Sequence, residues 1–138
     1  VTYAEIRAAV FAAAEESEPP TWLMLRQAEI ESGFNPAAVS DLPEDAAIGV
    51  FQVRPKDGAN FGFGVPAMSA ADLLDPTKAT IWAGKALAGL RSHLGGGWGA
   101  AFLRYNVGAG GNLHTASAQY KALAQAAVLA YGEVNPLG

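Results

Sequence analysis

Glu31 is the carboxylate in this chain whose neighbours say most about its chemistry. It lies in the run Ala28-Glu29-Ile30-Glu31-Ser32-Gly33-Phe34-Asn35-Pro36. Upstream, Trp22, Leu23, Met24, Leu25, Ala28 and Ile30 make most faces of a predicted helix apolar, and Thr21 is placed to cap its start. Gly33 reads as the residue just past the helix, and Pro36 prevents its continuation. A carboxylate in the last turn meets the negative end of the helix dipole, and apolar neighbours add a desolvation cost. Both disfavour the ionised form. A glutamic acid kept protonated near neutral pH is what general-acid catalysis requires. A lone glutamate is nevertheless more often a solvated acid, as Glu29 reads, so the companions of Glu31 decide its meaning.

Few other residues offer independent chemistry. The chain has no cysteine, which excludes disulfides and thiolate nucleophiles without fixing a compartment. His93 and His114 stand at no metal-ligand spacing with Asp or Glu, so no metal and no cofactor is expected. Gln52 carries donors and acceptors that suit sugar hydroxyl and acetamido groups, or equally the backbone of its own loop. Ser40 reads on its own as a turn residue. Tyr105-Asn106 precedes a glycine break, with polar tips free to enter a groove, or else as a core tyrosine with a capping asparagine. Phe61 and Phe63 can stack on a sugar face or anchor their Gly-rich loop. Trp22, Trp82 and Trp98 fit helical stripes and read as core.

The elements that must position these groups are mainly helical. A first helix is predicted over Tyr3 to about Glu16, with Ile6, Val10 and Phe11 on its apolar stripe and Pro19-Pro20 as its stop. After the Glu31 helix, Asn35 to about Met68 is irregular, with one β-like run at Ile48–Val53. Long non-helical stretches of this kind tend to be functional. Asp75-Pro76 opens a strong helix that Gly95-Gly96-Gly97 ends, and this capping role accounts for Asp75 fully. A shorter helix over about Trp98 to Asn106 and a last one over about Thr115 to Tyr131 follow, the latter with Tyr120, Leu123, Ala124, Ala127 and Val128 inward. Asn135 to Gly138 reads as a frayed tail.

Composition bounds the function class. With 138 residues, 51% apolar and 16% charged, residues 1–138 read as one compact domain able to bury a core. Apolar stretches are too short to span a bilayer. The net charge of −4 supplies no basic field for nucleic acid, so polymer binding would rest on groove contacts. No signal peptide is visible, and the absence of an initiator Met suggests a processed chain or a domain excised from a larger protein.

Four ordered blocks together resemble a known family. Glu31-Ser32-Gly33-Phe34-Asn35-Pro36 with Ser40, Gly49-Val50-Phe51-Gln52, Leu74-Asp75-Pro76 and Tyr105-Asn106-Val107-Gly108 are similar to the soluble lytic transglycosylases, which share the lysozyme-like fold. The resemblance implies a mostly α, lysozyme-like α+β fold of about five to six helices, with a short β-hairpin and loop region after the catalytic helix. It implies that Glu31 is the sole catalytic acid and base, and that Ser40, Gln52, Tyr105 and Asn106 bind substrate. The implied reaction cleaves the bond between N-acetylmuramic acid and N-acetylglucosamine in a peptidoglycan strand. The muramyl 6-hydroxyl closes a 1,6-anhydro ring, without the usual second carboxylate. The implied setting is the cell envelope or periplasm, secretion, or a phage virion, as a free enzyme or as part of a larger cell-wall, virion or secretion assembly.

This chain also departs from the family pattern. Asp41-Leu42-Pro43-Glu44-Asp45-Ala46-Ala47-Ile48 is longer and more acidic than the usual small-residue turn, Arg54 replaces a thioether before Pro55, and His114-Thr115 replaces a Glu-Thr pair. Arg54 reads either as a contact for a substrate carboxylate or, more simply, as the partner of a local acid. Two other functions stay open. A hydrolytic muramidase similar to goose-type lysozymes needs a second carboxylate about 6.5–9.5 Å from the acid to activate water, and Asp41, Glu44 and Asp45 are its candidates. A catalytically silent glycan-binding module is the other, with the presence of Glu31 against it.

Overall fold

The computed structural model describes residues 1–138, and 59% of them are helical. The helices are α1 (Tyr3–Glu15), α2 (Thr21–Ser32), α3 (Pro55–Ala59), α4 (Ala70–Leu73), α5 (Pro76–Leu94), α6 (Gly97–Val107) and α7 (Ala118–Tyr131). A 3-10 turn at Leu113–Thr115 precedes α7. The mostly α expectation holds. The count rises to seven because the long irregular segment contains one short helix, α3, and a second, α4, follows it directly. Each has its own start signal: Pro55 at the first position of α3, and the Ser69 hydroxyl accepting the Asp72 N–H at α4.

The chain divides into two compact units, Val1–Lys85 and Ala86–Gly138, with the boundary inside α5. In the first unit α1 packs on α2. Ile6, Val10, Ala13 and Ala14 of α1 meet a core that includes Leu23, Met24 and Ala28 of α2. Fully burying a Leu or Met side chain contributes about 1.5–3 kcal/mol, so these few residues carry much of the packing energy. Gly84 of α5 passes Ser17 so closely that a Cβ would lie 2.7 Å from its hydroxyl. Phe11 is 41% exposed, so the stripe of α1 turns inward through the alanines instead. Trp22 also faces outward at 40% exposure, whereas Trp82 and Trp98 are buried as expected.

The start of α2 differs from its sequence reading. Leu23 and Met24 both donate to the Pro20 carbonyl, and Pro20 is the capping residue, with no side-chain cap. Thr21 is already helical, so its hydroxyl sits one position too late to cap. The expected β-like run is also not a strand. Ile48 bridges Val39 and Val53 in isolated antiparallel pairs, with Ile48 and Val53 exchanging two backbone hydrogen bonds of 3.0 Å around a tight turn.

In the second unit α6 packs along α7, burying Trp98, Phe102 and Leu103 with Tyr120, Leu123 and Ala127. Helix α7 begins after Ser117, whose hydroxyl accepts the Tyr120 N–H. Thr115 falls instead in the 3-10 turn, which Asn112 caps through His114 N–H. The segment after α7 is anchored at Glu133, just ahead of the tail at residues 135–138. The Glu133 carboxylate accepts the N–H groups of Trp98 at 2.6 Å and Gly99 at 2.9 Å, closing the first turn of α6. The α6 capping residue is Gly96, with no side chain to do this, so a residue more than thirty positions away supplies the cap.

Candidate active site

Glu31 is the penultimate residue of α2 and is half-buried. The chain leaves the helix through two successive left-handed residues, Gly33 at φ 61° and Phe34 at φ 62°. Gly33 N–H bonds the Glu29 carbonyl at 2.9 Å and closes the helix. Phe34 bears the less favourable backbone, and its ring is 2% exposed, so burial offsets that local cost. Asn35 then accepts the Ala37 N–H through its side chain and turns the chain toward Ala38.

Ser32 ties this helix end to the Ile48–Val53 turn. Its hydroxyl donates to the Val50 carbonyl at 2.7 Å, and more weakly to Ala28 at 3.3 Å. Val50 and Phe51 are both fully buried, so the turn is held at once by its apolar tip and by Ser32. Gly49 completes the arrangement. It has φ 79°, and a Cβ there would collide with the Leu73 carbonyl, so the turn admits only glycine.

Gln52 sits in the same turn with φ 48°. Its side-chain amide donates to the Ala38 and Gly49 carbonyls, each at 3.1 Å. The backbone-satisfying alternative weighed for this residue is therefore realised in the structure. Ser40 has a comparable duty. It pairs with Ala47 through its own N–H and through a hydroxyl that accepts the Ala47 N–H, both at 2.9 Å, pinching the base of the acidic loop. Asp45 within that loop accepts the Lys56 N–H at 3.0 Å and so caps α3, while Asp41 and Glu44 are exposed. Arg54 is exposed and forms no ion pair, so the local acid partner considered for it is absent.

Tyr105 and Asn106 lie in the second unit, at the end of α6. The Tyr105 ring stacks on Tyr120 at 6.5 Å with an 11° tilt. Asn106 Oδ1 accepts the Ser117 N–H at 2.9 Å. Ser117 in turn caps Tyr120, so Tyr105 and Asn106 are held from the α7 side through a short closed relay. Tyr120 was legible only as an inward-facing ring, and Ser117 was passed over because the last helix was expected to start near Thr115; their link to Tyr105-Asn106 needed the packed structure. Phe61 is half-buried edge-on against Trp82 at 5.1 Å, with Phe63 against it at 5.9 Å, so the loop-anchoring reading fits Phe61. No cluster of His, Asp and Glu is arranged to hold a metal ion, and His93 and His114 are exposed.

The transglycosylase SLT domain matches residues 8–128, most of the chain. The chain belongs to the SLT family. That places it in the lysozyme-like superfamily, in keeping with its mostly helical architecture. SLT membership supports glycan cleavage of the lytic transglycosylase type in general terms, with peptidoglycan as the implied substrate and an extracytoplasmic setting. Glu31, Ser40, Gln52, Tyr105 and Asn106 all fall inside the matched segment. No helix is long and apolar enough to cross a membrane. No curated protein and no solved structure matches the chain significantly.

Proposed function

We propose that residues 1–138 form a catalytic domain that acts as a peptidoglycan lytic transglycosylase, with Glu31 as its single acid and base. The observation that carries this reading is the glutamate on the last turn of α2, next to the serine that ties the helix end to the Gly49–Gln52 turn, inside an SLT match. In the first step Glu31 gives its proton to the glycosidic oxygen between N-acetylmuramic acid and N-acetylglucosamine. The C–O bond breaks as the muramyl acetamido oxygen attacks the anomeric carbon. In the second step the Glu31 carboxylate takes the proton from the muramyl 6-hydroxyl. That oxygen bonds to the anomeric carbon and expels the acetamido oxygen. The product is a 1,6-anhydromuramyl end, and Glu31 is protonated again. Such substrate assistance needs no second carboxylate.

The helix dipole supports the first half of this cycle, because a carboxyl beside the last carbonyls of α2 is disfavoured as an anion until it gives up its proton to substrate. Within the first unit, Gln52 and Ser40 shape the turn and the acidic loop. Gln52 keeps its side-chain oxygen as an acceptor for an acetamido N–H. Within the second unit, Tyr105 and Asn106 offer sugar contacts from a backbone that Ser117 and Tyr120 hold still. Of the three acids open to the hydrolytic alternative, Asp45 accepts the Lys56 N–H as the cap of α3, while Asp41 and Glu44 are exposed. The setting we favour is the cell envelope, as a free enzyme or as one part of a wall-degrading assembly.

Mass spectrometry of digested peptidoglycan tests the chemistry directly. Anhydromuramyl ends are the expected product. Reducing ends, heavier by one water, would replace this reading with muramidase hydrolysis.

A further inference from the structure

We propose that Tyr3 and Arg7 of α1, gathered on the Phe34 ring, form a subsite that reads a carboxylate carried by the muramyl unit of the glycan, with Arg7 binding the anion and Tyr3 flanking it. This rests on the peptidoglycan reading above. Tyr3 meets Phe34 edge-on at 5.5 Å with an 87° angle, and the Arg7 guanidinium carbon lies 6.0 Å from the same ring centre. Phe34 is buried and fixed in a left-handed backbone, whereas Tyr3 is 57% exposed and Arg7 is exposed. A rigid ring therefore holds two solvent-facing groups on one face of α1, with the guanidinium N–H edge left to a ligand.

Arg7 has its charge free for an anionic ligand. It forms no ion pair, although acids outnumber bases in the chain. Its helical neighbours at three and four residues are Ala4, Val10, Tyr3 and Phe11, none of them acidic. Glu5, the nearest acid in sequence, accepts a hydrogen bond from the Thr2 hydroxyl at 3.2 Å instead. The location fits a glycan subsite. Phe34 follows Glu31 by three residues, so their Cα atoms lie within about 11 Å of one another whatever the backbone path. That is a span a short stretch of glycan covers. Its muramyl units carry a lactyl group extended by a peptide, and carboxylates are the charged groups for which a planar guanidinium is best suited. Tyr3 and Arg7 precede the segment that the SLT domain matches, whereas Phe34 lies within it.

Binding is measured on the full chain carrying Glu31→Gln, so that turnover does not consume the probe. The probes are a disaccharide-peptide from peptidoglycan and the same compound with its carboxylates converted to amides. Arg7→Gln is expected to weaken binding of the carboxylate form about tenfold, to leave the amide form unchanged, and to lose this contrast at high salt. Arg7→Lys should recover part of the loss, because charge survives without the planar fork. Tyr3→Ala should weaken both probes to a similar, smaller extent. An Arg7→Gln variant that binds both probes like its parent, or loses both equally, overturns the proposal, as does a parent that binds neither. Arg7 is exposed, and an unchanged melting temperature confirms that the variant is folded. Failure of the transglycosylase reading would appear separately, as missing anhydro product with the binding contrast intact.

Discussion

Replacing Ser32 by alanine removes one hydroxyl from the junction between α2 and the Gly49–Gln52 turn. The hydroxyl donates to the Val50 carbonyl at 2.7 Å, beside a Val50 that is fully buried. Leaving a buried carbonyl without its donor costs about 1–3 kcal/mol. Alanine recovers up to about 0.5 kcal/mol of helix propensity, less at a helix terminus. The net loss is about 1–2 kcal/mol, which lowers the melting temperature by roughly 3–6 °C in a protein of this size. The effect on turnover should be larger than that on stability. With Ser32 gone, the helix end bearing Glu31 is no longer registered on the turn, and a displacement near 1 Å at a reacting group costs on the order of a hundredfold in rate. Thermal unfolding followed by circular dichroism, with kcat on purified peptidoglycan, reads both. Ser32→Thr keeps the hydroxyl and should retain most of the activity. A Ser32→Ala variant that melts and turns over like wild type would refute the claim that this hydrogen bond positions Glu31.

Two further substitutions probe the supports around the site. Gly49→Ala forces a side chain into the left-handed backbone and against the Leu73 carbonyl. It should lose about 2 kcal/mol or more in urea denaturation, and a loss below about 0.5 kcal/mol would show that the turn yields easily. Glu133→Ala removes the carboxylate that caps α6 through Trp98 and Gly99. It should cost about 2 kcal/mol, with Glu133→Gln falling between it and wild type because one acceptor oxygen remains. Equal melting temperatures for all three proteins would remove Glu133 from the account.

Backbone rules were the part of the fold most readable in the sequence. Gly33 ends α2 in the left-handed region, and Asp75 caps α5, accepting the Lys78 N–H at 2.9 Å ahead of Pro76. Such signals act within a turn of helix, so no tertiary knowledge is needed. The misreadings arose where distant groups decide. Thr21 looked like a cap, but the preceding Pro20 had already begun the helix. Phe11 and Trp22 matched an apolar period yet face outward, because alanines suffice where α1 packs. The Ile48–Val53 pairing is stabilised by Ala38 and Ser32 from outside the run, so alternation within it could not reveal a turn. The Glu133 cap joins residues 34 and 35 positions apart and leaves no local trace.

The candidate site was legible in the same uneven way. The place of Glu31 at a helix end was a local property, marked by Gly33 and Pro36, whereas its proposed role came from the resemblance of the ordered blocks around it. Gln52 and Ser40 were singled out for substrate, and the structure gives each a backbone partner that sequence could not assign. Ser32, which now links Glu31's helix to the turn, was visible only as part of a motif.

The central claim is that Glu31 performs both proton transfers. Glu31→Gln preserves size and hydrogen-bonding shape but removes the titrating group, so it should melt within a few degrees of wild type while releasing no anhydromuramyl product from peptidoglycan. A folded Glu31→Gln protein that still releases that product at the wild-type rate would contradict the account.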